Sequence, residues 1–212
     1  MTNINNKIAR SLELLRTRGL SISLEANERL NTHLDLIREW NDTVSLVSRG
    51  DLEWLDDHVA DSLSLTPYIE NAGHAGYLLD IGSGAGFPAI PLAIVFPEMR
   101  IVLIERSDRK SGFLRKVIAK LGLFHVELRY GSYPEAAPPE VPRWVTARAV
   151  EKPELVREAI LERLGAETQF LCQGRDCPDL DRPELSTTRV TDEWSKLGLR
   201  RGSLTILGRS DA

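Results

Sequence analysis

An apolar run that ends in alternating glycines restricts this chain more than any other stretch. Leu78-Leu79-Asp80-Ile81 leads straight into Gly82-Ser83-Gly84-Ala85-Gly86-Phe87-Pro88. The run reads as a buried strand, the glycines as a tight turn, and the residues from about Pro88 as a helix. Without Cβ atoms, Gly82, Gly84 and Gly86 are free to take positive φ and to let a ligand approach the main chain. The helix start beyond them supplies unpaired N–H groups. Together these predict a nucleotide-type cofactor site at the carboxyl end of a parallel strand.

The spacing of the glycines selects among cofactors. A phosphate-cradling loop of the Gly-x-x-x-x-Gly-Lys-Ser/Thr type needs a lysine that this stretch lacks. A dinucleotide turn would place its third glycine at Phe87, and here it comes one residue early, at Gly86. The pattern present is Asp-x-Gly-x-Gly-x-Gly, with Asp80 two residues before the first glycine. It resembles the first motif of S-adenosylmethionine-dependent methyltransferases. Ile101-Val102-Leu103-Ile104-Glu105 is a second short apolar run ending in an acid, as expected of a neighbouring strand. A carboxylate there suits the two ribose hydroxyls of a bound nucleoside. Glu105 would serve NAD equally well, so the glycine spacing decides. Asp80, Gly82, Ser83, Gly84, Gly86 and Glu105 are therefore expected to bind the cofactor.

Composition narrows the class. The 212 residues suffice for one α/β domain with an added segment and a full core. No apolar run is long enough to span a bilayer, and the polar start Met1–Lys7 lacks a signal-peptide core. A monomeric cytoplasmic protein with no membrane partner is expected. Cys172 and Cys177 stand in a C-x4-C spacing without nearby histidines. Zinc would need two more ligands, so no metal is expected and the pair reads as ordinary buried thiols. A net charge of −4 argues against a general nucleic-acid coat but leaves room for a local basic patch.

Periodicity organises the rest. Ile8, Leu12 and Leu15 share a helical face that Gly19 terminates, and Leu30, Leu34, Ile37 and Asn41 form a second. Residues 1–70 thus read as a helical segment ahead of a sheet domain, 71–212. Strands are expected near 77–81, 101–105, 125–130, 144–147 and 168–173, with weaker ones near 186–191 and 203–207. The clearest helix begins at Ser107 or Asp108, carries Phe113, Val117 and Leu121 on one face, and stops at Gly122. A further helix is expected over 154–164, and the proline-rich stretch 134–142 reads as a surface loop. Alternating strands and helices imply an α/β fold with a mostly parallel sheet covered on both faces.

Five local strings are more specific. They are Glu39-Trp40-Asn41 followed by Leu46-Val47-Ser48; His58-Val59-Ala60-Asp61-Ser62-Leu63; Gly84-Ala85-Gly86-Phe87-Pro88-Ala89-Ile90-Pro91; Arg109-Lys110-Ser111-Gly112-Phe113-Leu114-Arg115; and Thr146-Ala147-Arg148-Ala149. In that order they resemble the bacterial 16S rRNA (guanine-N7) methyltransferase G family, also called glucose-inhibited division protein B, over about residues 10–175. The resemblance implies a Rossmann-like methyltransferase domain behind helical N-terminal elements, with an antiparallel strand closing the sheet. It also implies S-adenosylmethionine as methyl donor and a guanine N7 in the decoding-region loop of 16S rRNA, free or in the small subunit, as target. It adds Phe87, the loop Gly131-Ser132-Tyr133 and Arg148 to the cofactor set. Set against the family's pattern, the chain resembles a divergent member. Asp57 stands where the family has Arg, Ser45 where it has Asn and Ala89 where it has Gly. Gln173-Gly174 replaces a Lys-Gly pair, and Gly202-Ser203-Leu204 replaces a basic, His-containing strand.

Guanine N7 carries an in-plane lone pair and no proton. Its methylation needs positioning rather than a general base. Arg115 and Arg148 are the candidates for the catalytic side, because guanidinium groups grip phosphate and guanine O6. An arginine on N7 itself would block the nucleophile. Cys172 lacks the flanking proline of cytosine-C5 enzymes and reads as core. His58 and Asp61, three residues apart on a helix, read equally as a pair bracing the cofactor pocket or as plain packing, and Trp40 as core. Two other readings stay open: a cofactor-binding, RNA-associated protein that does not methylate rRNA, and a methyltransferase of another substrate.

Overall fold

The computed structural model describes residues 6–70, 76–148, 153–174 and 184–210. The expected boundary between the helical segment and the sheet domain, the last residue of the Thr146–Ala149 string and Cys177 lie outside these residues.

Four helices come first: α1 (Lys7–Thr17), α2 (Ala26–Val44), α3 (Leu55–Leu63) and α4 (Thr66–Glu70), with a 3-10 turn at Gly50–Trp54 between α2 and α3. The Asn6 side chain caps α1 by accepting from Ala9 N–H. The apolar faces read from the sequence are the buried ones: Ile8, Leu12, Leu15, Leu30, Leu34 and Ile37 are almost wholly enclosed. At about 1.5–3 kcal/mol per fully buried aliphatic side chain, this packing fixes the helices in place. They join the same apolar cluster as Ile90 and Leu92 of α5 (Ala89–Val95) and Phe113 of α6 (Asp108–Leu121).

The sheet has seven strands: β1 (Tyr77–Ile81), β2 (Arg100–Glu105), β3 (Val126–Tyr130), β4 (Trp144–Ala147), β5 (Gln169–Gln173), β6 (Leu185–Val190) and β7 (Leu204–Arg209). Their spatial order is β3-β2-β1-β4-β5-β7-β6. The first five run parallel, and β7 pairs antiparallel with both β5 and β6. This is the Rossmann-like, mostly parallel α/β fold with an antiparallel C-terminal strand that the sequence implies. β1 is buried along its whole length, as a central strand covered on both faces must be. β6 alternates in exposure and carries Ser, Thr and Arg, a polar edge that discourages pairing with other chains.

Helix boundaries follow local chemistry. α6 starts where Ser107 Oγ accepts from Lys110 N–H and ends at Gly122 with φ +61. α7 (Pro153–Glu162) lies on the other face of the sheet, over a second apolar cluster that contains Ile160, Leu161 and Phe170. Residues 134–142 form neither helix nor strand. One expectation is corrected. Cys172 is buried as anticipated but is disulfide-bonded, and no described cysteine is free. The chain's only other cysteine is five residues away, so a count of two gave no ground for assuming free thiols.

After β1 the chain builds outward to β2 and β3, then crosses back to lay β4 against the other side of β1. The crevice at the carboxyl ends of β1 and β4 is the topological switch point, where ligands bind in open α/β sheets.

Candidate active site

β1 delivers the glycine turn to that crevice. Gly82, Gly84 and Gly86 all have positive φ, at +71, +54 and +91. Gly82 and Ser83 N–H groups bond back to Ile104 O of β2, which bends the turn across the strand end. Glu105, at the end of β2, is buried, and its two carboxylate oxygens accept from Gly84 N–H (2.9 Å) and Ser107 N–H (2.7 Å). It therefore clasps the turn to the start of α6 while each oxygen retains a second lone pair for a further donor.

Beneath the turn, Asp80 is fully buried. Its Oδ1 accepts from Thr146 Oγ1 of β4 at 2.7 Å, and its Oδ2 has no hydrogen-bond partner. Burial pushes its pKa up to about 6, against the bonds from Thr146 and Ser83 that favour the charged form.

Just past β4, Arg148 extends over the same space. Its Nη2 lies 3.2 Å from His58 Nδ1 and 3.4 Å from Asp61 Oδ2, whereas its buried Nη1 is unpartnered. A guanidinium only donates, so His58 Nδ1 must accept and Nε2 carries the hydrogen. Burial, and then the charge of Arg148, lower the His58 pKa to about 4, so the imidazole is neutral at pH 7. Its ring stacks on Phe87 at 5.3 Å, and Phe87 meets the buried ring of His33 at 5.1 Å. Asp61 is pushed above its usual range by burial, against the pull of Arg148 and the bond from Arg201 N–H at 2.9 Å.

The turn, His58, Phe87 and Arg148 border an open cavity of about 420 Å³, within the range of small-molecule sites. Its wall includes Gly82, Ser83, Gly84, Phe87 and Arg148, all expected from the sequence. Asp80, Gly86 and Glu105 are not in the wall. Asp80 and Glu105 are buried, and Gly86 packs against Ile90 and His33. Gly131 N–H bonds Glu105 O, which keeps the loop after β3 beside the acid, but Gly131, Ser132 and Tyr133 do not line the cavity. The Tyr133 ring packs on the second apolar cluster, with its hydroxyl 3.4 Å from Ala159 O. Arg115 is exposed on α6 and is not in the wall, whereas Lys110 of the same helix is. Trp40 packs against the core, with its ring 6.1 Å from that of Phe113.

Three contributors escaped sequence reasoning, Asp51 in the wall being one. The stretch after α2 supplies Ser45, Leu46, Val47 and Ser48 to the wall. Ser45 sits at φ +54, a backbone state more congenial to Asn than to Ser. His33 bonds Ala85 O at 2.8 Å and so anchors the glycine turn to α2. Its position three residues after Leu30, inside an apolar stripe, was the available signal.

Three of the substituted positions are tied to the protein itself, whereas Ser45 is exposed at the cavity wall. Asp57 pairs with Lys7, Gln173 Nε2 donates to Asp61 O (2.7 Å), and Ser203 Oγ donates to Gly174 O (2.6 Å). Among the described residues no cluster of His, Cys, Asp or Glu suits a metal, and no helix is long and apolar enough to cross a membrane.

The donor set fits an amino-acid-bearing nucleoside such as S-adenosylmethionine. Asp80 Oδ2 is a buried acceptor without a donor, and Arg148 Nη1 a buried donor without an acceptor. An α-ammonium and an α-carboxylate are their complements. A Cβ at Gly84 would touch nothing nearer than Gly82 O at 3.7 Å, so the turn has open space in front of it.

Comparison with known proteins agrees. Residues 26–175 match the family described as GidB, rRNA small subunit methyltransferase G. The protein named ribosomal RNA small subunit methyltransferase G in Neisseria meningitidis serogroup C (strain 053442) is 40% identical over 114 residues, 53% of this chain and 54% of that one. The protein of that name in Nitrosomonas europaea is 29% identical over 169 residues, 78% of this chain and 77% of that one. The chain thus spans about half the length of the first of these relatives. Among solved structures, an SAH-bound methyltransferase from Podospora anserina aligns with all of this chain and 99% of its own, at 15% identity and a TM-score of 0.62. An O-methyltransferase from Bacillus cereus in complex with SAH aligns over 85% and 91%, at 18% identity and a TM-score of 0.55. These structures share the fold.

Proposed function

The chain belongs to the rRNA small subunit methyltransferase G family, and from that premise we propose that it transfers a methyl group from S-adenosylmethionine to a guanine N7 in the decoding-region loop of 16S rRNA. The observation that carries the reading is the complementary pair of buried, unpartnered atoms, Asp80 Oδ2 and Arg148 Nη1, beside the glycine turn. Asp80 would hold the ammonium of the methionyl end and Arg148 its carboxylate. Glu105 would accept from the ribose hydroxyls, and the three glycines leave the main chain open to the nucleoside. Gly131, Ser132 and Tyr133 would flank the adenine after a modest shift of their loop.

When bound, the cofactor supplies an electrophilic sulfonium methyl. The protein's task is then to hold N7 in line with it, since the lone pair needs no base. The site suits that economy. His58 is neutral, its Nδ1 already accepts from Arg148, and it is placed to brace rather than to take a proton. Arg115, exposed on α6, and Lys110, at the cavity wall, are cations available to phosphate. The reading entails 16S rRNA or the small subunit as partner and a monomer working in the cytoplasm.

The test is transfer of tritiated methyl to 16S rRNA and to small subunits from cells lacking the family enzyme, with the modified base located by borohydride–aniline cleavage at N7. Incorporation at one guanine is expected, and its loss in Asp80→Asn and Arg148→Ala. No incorporation into either substrate, from protein that binds S-adenosylmethionine by calorimetry, rejects it. That outcome is what the second reading expects, a cofactor-binding, RNA-associated protein that does not methylate rRNA. Its support is the inward turn of Asp57, Gln173 and Ser203, which removes polar groups from the RNA-facing surface.

A further inference from the structure

We propose that Trp54 and Arg201 form a stacking platform at the cavity mouth for an unpaired nucleotide of the RNA substrate next to the methylated one. This rests on the rRNA reading and adds to it a specific contact surface.

Trp54 ends the 3-10 turn Gly50–Trp54, a segment with no buried residues. It is half exposed, unlike Trp144 and Trp194, which are completely enclosed. Leu52 of the same turn packs against the main apolar cluster, whereas the Trp54 indole is left half in water, where it contributes little to folding. Its position is not arbitrary, because Asp51 on the same turn lines the cavity. The guanidinium of Arg201 lies over the ring, 5.6 Å from its centroid. At that distance a cation is drawn to the π face, and the contact fixes the orientation of both side chains.

Arg201 is itself tied to the site. Its main-chain N–H donates to Asp61 Oδ1, and Asp61 Oδ2 reaches Arg148 in the cavity wall. Its neighbour Arg200 is buried in bonds to Ser64 and Asp192, so the main chain at this point is well fixed. Among the described residues, by contrast, no carboxylate pairs with the Arg201 side chain. Its guanidinium donors therefore stay available while its plane rests on Trp54.

An exposed aromatic face beside unpaired guanidinium donors is what an unpaired nucleotide requires. The base stacks on the indole, and the phosphate takes two parallel N–H donors. Stacking is sequence-tolerant and suits a loop nucleotide whose identity another part of the interface reads. A chain with a net charge of −4 has no general attraction for RNA. Its affinity must come from such local contacts.

The probe is a fluorescein-labelled decaadenylate, with S-adenosylhomocysteine binding followed in parallel as the check on folding. Stacking is worth about 1–3 kcal/mol per base, so Trp54→Ala should weaken RNA binding about 5- to 150-fold. Trp54→Phe should keep most of the affinity, and Arg201→Ala should lower the salt dependence by about one phosphate contact. Cofactor affinity should stay within twofold throughout. Trp54→Ala binding RNA as the wild type does overturns the platform, and so does Trp54→Phe losing as much as Trp54→Ala. A wild type that binds the decaadenylate but transfers no methyl to 16S rRNA or small subunits leaves the platform standing and removes the methyl-transfer reading. A wild type that does not bind the decaadenylate overturns the platform and leaves the methyl-transfer reading to its own incorporation assay.

Discussion

Gly86→Ala should separate the structural glycine of the turn from the glycine that faces the ligand. Gly86 has φ +91, and a Cβ built there stands 2.6 Å from Ile90 Cγ1 and 3.3 Å from His33 Nε2. Ile90 and His33 are both fully buried, so neither neighbour is a loose end that can swing away. The unfavourable φ costs about 1–3 kcal/mol. Overpacking a core by one methyl adds roughly 1–3 kcal/mol. The expected loss is about 2–6 kcal/mol, a fall in Tm of roughly 4–24 °C for a domain of this size. Gly84→Ala is the control. Its φ of +54 lies in the left-handed basin and its Cβ meets only Gly82 O at 3.7 Å. It should cost about 1–2 kcal/mol, or roughly 2–8 °C. It should nevertheless reduce affinity for S-adenosylhomocysteine, because its methyl occupies the open side of the turn. Thermal melts and calorimetry on the two variants give both quantities. Gly86→Ala within 1 kcal/mol of wild type, or a Gly84→Ala that melts lower than Gly86→Ala, would refute this account of the turn.

Two further predictions concern pH. With Asp80 at about 6, calorimetric affinity for S-adenosylmethionine should be level above that pH and fall toward tenfold per unit below it, as the carboxylate that receives the ammonium is protonated. Thr146→Val removes a bond to the charged form and should move the break upward, whereas affinities level from pH 8 to pH 5 reject the pairing. Burial lowers His33 to about 4 from an unfolded value of 6.5. Its contribution is therefore intact above 6.5 and is lost as pH falls to 4, by about 3 kcal/mol, because the unfolded chain takes a proton that the folded one refuses. Urea titrations should show that slope in the wild type and a shallower one in His33→Gln, and equal slopes would contradict it.

What the sequence made legible was local. β1, β2, the glycine turn and α6 each declare themselves within a dozen residues, through apolar runs, caps and stop signals. α4, the 3-10 turn and the four-residue helix α8 (Glu193–Lys196) are too short to show a period, and their places are set by neighbours. The insertion of β7 between β5 and β6 is a long-range choice that two weak strands could not announce. The site divides the same way. Asp80, the glycines and Glu105 follow from one motif and its neighbouring strand. The bond of Asp80 to Thr146 and the bridge from Arg148 to His58 and Asp61 join residues 66 to 90 positions apart, which the β1–β4 pairing and the docking of α3 bring together.

The remaining question is why a buried guanidinium should be left half satisfied. Arg148 Nη2 is shared between His58 and Asp61, while Nη1 has no acceptor. The surroundings do not lack means of satisfying such a group. Linked to it through Asp61 and Arg201, the neighbouring Arg200 is engaged on every nitrogen by Ser64, Asp192 and Ser195, and Tyr68 completes the shell of Asp192. Burial alone would raise the Asp192 carboxyl, yet the bonds from Tyr68 and Arg200 outweigh it and hold the group below its usual range. Breaking a pair of that kind costs about 3–5 kcal/mol, which makes the C-terminal strand part of the framework rather than an appendage. The same fold therefore contains one buried arginine with a complete shell and one with an open position. The complete shell locks β7 and α8 to the helices before β1. The open position belongs to a residue of the cavity wall, and Asp80, beneath the glycine turn, has an oxygen that lacks a donor. An unmade hydrogen bond to a buried charge costs more than a typical made one contributes, and the proposed binding of a methionyl ammonium and carboxylate would satisfy both vacancies at the ends of β1 and β4.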